Sequence, residues 1–272
     1  MTRIKLIATD VDGTFLNSQR QYNQPRFHEQ LDRLHAAGIH FVIASGNSLG
    51  HLHDVFAPTP AIKTFVAENG GLITSGDQVL FEDAIPTPVV HEIVRTILAD
   101  DTLRPQVLRL SGAHGTYINR ADRTNDPASQ AYFFNNIVLV DDLTQVNDTF
   151  YKVNGEWPNE SIQALAAKIN DRFPTEIHAT ASGFGSIDII PPHMNKAIGL
   201  HQLADSWGIK PTEIAAFGDN DNDQEMLAHV GLGVAMCNGT DTVKQVADLI
   251  TKTDNDHDGV LDVIDAILTD KV

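Results

Sequence analysis

Residues 4–14 have the sequence Ile4-Lys5-Leu6-Ile7-Ala8-Thr9-Asp10-Val11-Asp12-Gly13-Thr14. The apolar start of this stretch is typical of a buried strand, and two carboxylates, Asp10 and Asp12, stand where that strand ends. Like charges held this close repel each other, and neither can remain uncompensated in a core. Gly13 permits a sharp turn, so we expect both acids at the edge of a sheet. A bound cation, together with a substrate attacked by one carboxylate, would explain the pair.

Up to about residue 90, apolar strands alternate with helices. The pattern predicts strands at residues 4–8, 39–44 and 64–67, one helix between Asn23 and Gly38, and a shorter helix over residues 48–56. Apolar strands that alternate with helices indicate a parallel sheet that is covered on both faces.

The pattern changes between about residues 84 and 190, where the strands alternate in polarity and helices are fewer, near 88–99 and 158–172. This favours an α+β module with a mixed or antiparallel sheet. The first pattern returns at Pro191-Pro192. We therefore predict an α/β protein with a Rossmann-like parallel-sheet core, residues 1–83 and 191–272, that is interrupted by an inserted α+β domain, residues 84–190.

The composition excludes several classes of partner. With a formal net charge of −17, the chain lacks the basic surface that nucleic acids and anionic membranes require. No apolar stretch approaches the ~20 residues of a membrane span, and charged residues interrupt the N-terminal segment that a signal peptide would need. Cys237 is the only cysteine, so no intramolecular disulfide can form. We expect a soluble cytoplasmic protein.

Three further polar sites are predicted at or just beyond the carboxyl ends of core strands, the edge where open parallel sheets bind ligands. Ser45-Gly46 offers a hydroxyl and open backbone N–H groups, Lys196 begins a helix, and residues 218–223 carry three acids. Singly, these features are typical of a turn, a surface lysine and a helix N-terminus. Together with the paired acids, at four successive strand ends, they indicate a pocket for a metal ion and a phosphate group.

These residues carry a resemblance to a known family. The chain resembles the haloacid dehalogenase superfamily, in particular its Cof-type phosphatases with a large α/β cap, over essentially its whole length. The matching motifs are Asp10-Val11-Asp12-Gly13-Thr14, Ser45, Lys196 and Gly218-Asp219-x-x-Asn222-Asp223, with Glu68-Asn69-Gly70 and Asp258-Gly259-Val260 in the expected places. The resemblance implies that residues 84–190 are a cap that selects the substrate.

The resemblance also implies a two-step phosphoryl transfer. Asp10 would attack the phosphorus and form an aspartyl-phosphate. Asp12 would protonate the leaving alcohol and then deprotonate the water that hydrolyses the intermediate. Mg²⁺ would be held by the Asp10 carboxylate, the backbone carbonyl of Asp12 and Asp219. Asp223 would act in the outer shell of the metal or orient Lys196.

Phosphate binding is implied for Ser45, the backbone N–H of Gly46, Lys196 and Asn222, which would surround the oxygens of the transferred group. Asn47 departs from the family pattern, because many Cof-type members carry arginine after the Ser/Thr-Gly pair. Asparagine has neither the fixed charge nor the bidentate fork of arginine.

The expected function is a Mg²⁺-dependent phosphomonoester hydrolase acting on a small metabolite. A sugar phosphate is the first expectation for the substrate, and a phosphorylated cofactor such as pyridoxal phosphate or FMN is the second. Two alternatives stay open: a phosphomutase that uses the same intermediate, and a non-catalytic phosphometabolite-binding or regulatory protein. The protein is expected to be a monomer or a weak homo-oligomer.

Two other patterns point to metals. Asp254-x-Asp256-x-Asp258-Gly259 is similar to the start of an EF-hand loop, but its twelfth position is Asp265 where a bidentate Glu is expected. The closest histidine pair, His51 and His53, is spaced i, i+2 and does not share a helix face. We expect neither a calcium nor a zinc site.

Overall fold

The computed structural model describes residues 3–134, 136–157, 161–183 and 185–272. They form two compact units. Unit 1 comprises Met1–Gly46, Leu52–Phe81 and Asn195–Val272, and unit 2 comprises Asn47–His51 and Glu82–Met194. The functional division into a catalytic core and a substrate-selecting cap stays a prediction.

The described residues contain 14 strands and nine α-helices. The strands are β1 (Leu6–Thr9), β2 (His40–Ala44), β3 (Thr64–Ala67), β4 (Leu72–Ser75), β5 (Gln78–Glu82), β6 (Val107–Gly112), β7 (Gly115–Asn119), β8 (Ile137–Val140), β9 (Phe150–Glu156), β10 (His178–Gly183), β11 (Ser186–Ile190), β12 (Ile214–Gly218), β13 (Leu232–Ala235) and β14 (Leu249–Ile250). The helices are α1 (Gln24–Ala37), α2 (Leu49–Phe56), α3 (Thr87–Ala99), α4 (Pro127–Phe133), α5 (Ile162–Arg172), α6 (Lys196–Ser206), α7 (Gln224–Ala228), α8 (Asp241–Val246) and α9 (Gly259–Leu268).

Unit 1 is built on an eight-stranded sheet in the order β14-β13-β12-β1-β2-β3-β4-β5. Its first six strands are parallel to their neighbours, and β4 runs antiparallel to β3. All four residues of β1 are buried, as expected for a strand at the centre of a sheet covered on both faces. Leu6 and Ala8 pack with Leu200 and Leu203 of α6. The predicted parallel core is confirmed.

Helix α1 shows why the local sequence folds as it does. The side chain of Asn23 accepts a hydrogen bond from the backbone N–H of Arg26, and Pro25 occupies the first turn. Gly38 ends the helix with φ +71°, and its N–H bonds to the carbonyls of Leu34 and His35. Both predicted ends of this helix are confirmed.

Unit 2 contains a mixed six-stranded sheet in the order β10-β11-β9-β6-β7-β8, in which only the β7–β8 pair is parallel among the described strands. One face of the sheet packs on α3 and α5 through an apolar core that includes Val90, Leu108, Val153 and Ile169. The predicted α+β character of this region is confirmed. The predicted helix over residues 158–172 is observed as α5, and residues 158–160 lie outside the described residues.

The sequence pattern does not predict β4, β5, α4, β10, β11 and α8. Within the described ranges, every helix falls short of the length and apolarity that a membrane crossing needs.

Candidate active site

The predicted polar residues of unit 1 lie mostly at the carboxyl ends of its parallel strands. Asp10 directly follows β1, Ser45 follows β2, and Asp219 follows β12. These strands are neighbours in the order β12-β1-β2, so the three side chains emerge along one edge of the sheet. The predicted arrangement of four successive strand ends is wrong for Lys196. This residue is the first of α6, and the strand before it, β11, belongs to the sheet of unit 2.

Lys196 nevertheless reaches the nucleophile position predicted from the sequence. Its Nζ donates hydrogen bonds to Oδ1 of Asp10, at 2.6 Å, and to Oδ1 of Asp223, at 2.7 Å. The side chain is only 1% exposed. Burial by itself would lower the pKa of Lys196, but the charges of Asp10 and Asp223 outweigh it and raise the pKa above its ordinary value. The ammonium group therefore stays charged in this site.

Asp223 uses both carboxylate oxygens to hold the site together. Oδ1 accepts from Lys196, and Oδ2 accepts from the backbone N–H groups of Asp219 and Asn220, at 3.0 and 3.1 Å. The side chain is completely buried. The carboxylate thus fixes both the lysine and the loop that follows β12.

Asp10, Asp219 and Asp223 each place a carboxylate oxygen within 4.8 Å of the others, a spacing that can hold a metal ion. Burial, and then the charge of Asp223, raises the pKa of Asp219 to about 7. Burial also raises the pKa of Asp10 well above its ordinary value, although Lys196 opposes this shift. Within the described residues, the Asp12 carboxylate is not one of this group, and its charge contributes to the shift of Asp219. Three carboxylates around a single ammonium group fit a divalent cation with hard oxygen ligands.

The loop that carries Asp10 and Asp12 is held from the other side by the C-terminal segment. Asn238 donates to the carbonyl of Gly13 at 2.8 Å, and Asn255 donates to the carbonyl of Leu16 at 2.8 Å. Asp256, in the EF-hand-like segment, accepts from the backbone N–H of Ser18 at 2.6 Å. The polar residues of this segment therefore order the loop after the nucleophile.

The groups predicted to bind phosphate surround a residue to which the sequence assigned no role. Asn69 donates from its backbone N–H to the carbonyl of Ser45 at 3.0 Å and accepts from Nδ2 of Asn222 at 3.4 Å. Its amide also lies against Gly46, where a Cβ would stand 2.9 Å from Oδ1 of Asn69. The sequence offers two signals: Glu68-Asn69-Gly70 stands where the family resemblance expects it, and an Asn-Gly pair after an apolar strand marks an ordinary turn. Neither assigns a role to the Asn69 side chain.

Comparisons with known proteins identify relatives over nearly the whole chain. The family model for haloacid dehalogenase-like hydrolases matches residues 7–264. The chain is 35% identical to the 5-amino-6-(5-phospho-D-ribitylamino)uracil phosphatase YbjI of Escherichia coli, over 97% of this chain and 96% of that protein. It is 28% identical to YitU of Bacillus subtilis, a phosphatase of the same name, over 95% of this chain and 96% of that one. The crystal structure of SMU.1108c from Streptococcus mutans has a TM-score of 0.92 and 35% identity, and the match covers 98% of this chain and 99% of that one.

Proposed function

Because the chain belongs to the haloacid dehalogenase-like hydrolase family, we propose that it is a Mg²⁺-dependent phosphomonoester hydrolase that forms an aspartyl-phosphate on Asp10. The prediction of an enzyme of the haloacid dehalogenase phosphatase type is confirmed by the family match and by the phosphatase relatives. The observation that carries the finer proposal is the buried contact between Lys196 and Asp10 beside two further carboxylates.

We assign the nucleophile to Asp10. A carboxylate attacks phosphorus only when it is ionised, and burial disfavours that form. Lys196 opposes the effect of burial on the pKa of Asp10, through its charge and its hydrogen bond. Asp12 is then the acid that protonates the leaving alcohol and the base that activates the water for the second step. Its placement two residues beyond the nucleophile keeps the two roles on one loop.

The metal site is assigned to the carboxylates of Asp10 and Asp219 and to the backbone carbonyl of Asp12. The donor set fits Mg²⁺, because all of these ligands are hard oxygens. When bound, Mg²⁺ would neutralise charge on the phosphate group and on the carboxylates. Both oxygens of Asp223 already accept hydrogen bonds from the chain, so we place this residue in the outer shell, where it orients Lys196.

Four groups of unit 1 are assigned to the phosphate: the Ser45 hydroxyl, the Gly46 N–H, the Lys196 ammonium and the Asn222 amide. Ser45 is 2% exposed, and its backbone N–H bonds to the carbonyl of Val66 at 2.9 Å. Donors that are already fixed in position stabilise the transition state without reorganising when charge develops on the phosphoryl oxygens.

For the substrate we propose 5-amino-6-(5-phospho-D-ribitylamino)uracil or a closely similar phosphorylated polyol. This proposal is more specific than the class of sugar phosphates expected from the sequence. The support is the substrate in the names of two relatives that align over nearly the whole chain. Its leaving group carries hydroxyl, amino and ring carbonyl groups, and each of these needs a hydrogen-bond partner.

Unit 2 offers such partners on the sheet face opposite its apolar core. Nη1 of Arg109 donates to Oδ1 of Asn154 at 3.0 Å, and Nδ2 of Asn154 donates to Oδ1 of Asp188 at 2.8 Å. Lys152 forms an ion pair with Asp188 at 3.4 Å. These four residues, which we call the polar row, are each no more than 5% exposed. Buried donors and acceptors side by side suit a polar, uncharged leaving group, and we propose that the polar row selects it.

The decisive experiment is a measurement of phosphate release from 5-amino-6-(5-phospho-D-ribitylamino)uracil, a panel of sugar phosphates, pyridoxal phosphate, FMN and an aryl phosphate. We expect turnover with Mg²⁺, its loss with EDTA, and no turnover by Asp10→Asn. Formation of an isomerised phosphosugar without free phosphate would identify a mutase. Binding of the same compounds with no turnover of any would identify a non-catalytic binding protein. Turnover that survives EDTA would contradict the metal assignment.

Two further predictions stay proposals: a cytoplasmic location, and a monomeric or weakly self-associating state. Fractionation of cells and size-exclusion chromatography with light scattering would test them.

A further inference from the structure

We propose that Asn69 is a positioning residue that sets the geometry of the phosphate-binding groups at two strand ends, Ser45-Gly46 after β2 and Asn222 after β12. The inference rests on the proposed function, because it assumes that these groups bind the transferred phosphate. It assigns a role to a side chain that is neither an acid, a base nor a phosphate ligand.

The backbone of Asn69 holds Ser45. The Asn69 N–H donates to the carbonyl of Ser45 at 3.0 Å, while the N–H of Ser45 donates to the carbonyl of Val66 at 2.9 Å. Ser45 is therefore fixed on both its backbone groups by β3 and the turn that follows β3. A shift of Asn69 would move the serine hydroxyl relative to Asp10.

The side chain of Asn69 reaches two more phosphate-binding groups. Its Oδ1 accepts a long hydrogen bond of 3.4 Å from Nδ2 of Asn222, which orients the amide of Asn222. The same amide lies so close to Gly46 that a Cβ there would stand 2.9 Å from Oδ1 and 3.2 Å from Nδ2 of Asn69. Asn69 is only 2% exposed, so its amide is enclosed by the residues around it.

The same turn packs against the helix that begins with Lys196. A Cβ on Gly70 would overlap the carbonyl oxygen of Asn195, and a Cβ on Gly199 would stand 2.6 Å from Cα of Gly70. The backbone of the turn and the first turn of α6 are thus in direct contact. Residues 68–70 consequently touch the elements that carry all four assigned phosphate groups.

The backbone conformation of residues 68–70 supports a functional role for this turn. Glu68, Asn69 and Gly70 have φ values of +51°, +55° and +100°, so three successive residues are left-handed. Such a conformation costs about 1–2 kcal/mol for a residue with a Cβ, and asparagine tolerates it better than most. Strain of this kind persists where the surrounding structure requires it, and here it brings the amide of Asn69 between two phosphate-binding segments.

The test is Asn69→Gly, which removes the amide but keeps a residue suited to positive φ. Asn136→Gly is the matched control, because Asn136 also has positive φ, +49°, and lies in unit 2. The measurements are kcat, KM, the inhibition constant of inorganic phosphate and the melting temperature, with active sites counted by beryllofluoride titration.

We expect KM and the phosphate inhibition constant of Asn69→Gly to rise about tenfold, as for the loss of one to two hydrogen bonds. Asn136→Gly should leave both unchanged. A purely structural role would lower the melting temperature or the number of active sites while KM and the inhibition constant stay at wild-type values, and that result would overturn the proposal. Wild-type protein that neither hydrolyses a phosphomonoester nor binds phosphate would instead overturn the proposed function, so the two failures are distinct.

Discussion

Lys196 donates a 2.6 Å hydrogen bond to Oδ1 of Asp10 across 186 positions of the chain. The contact joins the residue after the first strand of unit 1 to the helix that resumes unit 1 after the inserted segment. Around it, Asp10, Asp219 and Asp223 bring three negative charges when ionised and the lysine brings one positive charge, which leaves an excess of two. That excess equals the charge of one divalent cation. A divalent cation bound here would therefore complement the lysine, since the lysine alone does not balance the three carboxylates.

Replacement of the lysine tests its role directly. Lys196→Met should lower kcat/KM at least about 100-fold, because it removes a fixed donor and leaves Asp10 and Asp223 without their shared cation. It should also lower the free energy of unfolding by about 3–5 kcal/mol, the usual effect of removing one partner of a buried ion pair. Lys5→Met is the control, since the Lys5 side chain is 50% exposed in its pair with Glu213. Steady-state kinetics and urea unfolding measure both effects, and equal behaviour of the two variants would contradict the role.

Asp219 makes the stability of the metal-free protein depend on pH. Its pKa is about 7 in the folded state, above its ordinary value of 3.8, so the folded state keeps a proton that the unfolded chain has released. This contribution to stability is present below about pH 4 and is lost as the pH rises through 7. In EDTA, the melting temperature of the wild type should therefore fall between pH 5 and about pH 8, and that of Asp219→Asn should fall less. Mg²⁺ should stabilise the wild type more at pH 8 than at pH 5.

The control for this experiment is Asp77→Asn, which alters an exposed acid of unit 1. Differential scanning fluorimetry with and without Mg²⁺ gives all the values. Parallel pH profiles of wild type and Asp219→Asn in EDTA would show that the Asp219 carboxyl does not titrate in this range.

If Asp12 is the general acid, the effect of replacing it on turnover should depend on the leaving group of the substrate. Asp12→Asn should reduce turnover of an alkyl phosphate far more than that of an aryl phosphate, because a phenolate leaves without protonation and an alkoxide does not. A reduction of about 10²–10⁴-fold is expected for the alkyl substrate. Asp101→Asn serves as control, since that side chain is 99% exposed. A plot of log kcat/KM against leaving-group pKa should become steeper in Asp12→Asn, and an unchanged slope would argue against the assignment.

The polar row of unit 2 can be tested at its neutral member. Asn154→Ala removes the hydrogen bonds to Arg109 and Asp188 and does not change the net charge of the polar row. We expect kcat/KM for the ribitylaminouracil phosphate to fall about tenfold or more, while kcat/KM for an aryl phosphate stays within about twofold. Asn125→Ala, at an exposed position of the same unit, is the control. Equal losses on both substrates would indicate a structural effect and not selection of the leaving group.

Features of this fold that depend on neighbouring residues can be predicted from the sequence, and features that depend on distant residues cannot. Two acids directly after a buried strand, Asp10 and Asp12, and the caps of α1 are local signals, so the sequence predicts both. Strand β4 pairs antiparallel with β3 through a turn with three successive positive φ values, which the alternation of apolar strands and helices does not predict. The burial of Lys196 depends on partners 186 and 27 positions away.

The role of Asn69 cannot be predicted from the sequence for a related reason. Its role depends on a left-handed backbone and on distances to Ser45 and Asn222, which belong to other strand ends. An Asn-Gly pair after a strand is explained equally well by a turn. Only the arrangement of the three strand ends distinguishes the two explanations.

Alanine substitutions at two glycines with similar backbone angles can distinguish the effect of backbone strain from an effect on metal binding. Gly13 has φ +79° and Gly38 has φ +71°, so alanine at either position pays a similar conformational penalty of about 1–2 kcal/mol. A Cβ at Gly13 would overlap Oδ2 of Asp219, whereas a Cβ at Gly38 would meet no atom of the described residues within 4 Å. Gly13→Ala should therefore displace the Asp219 carboxylate, which we assign to the metal, and weaken Mg²⁺ binding about tenfold or more. Gly38→Ala should lower the melting temperature by a comparable amount and leave the Mg²⁺ affinity unchanged. Calorimetric titration with Mg²⁺ measures the difference. Equal Mg²⁺ affinities in the two variants would contradict the assignment of Asp219 to the metal.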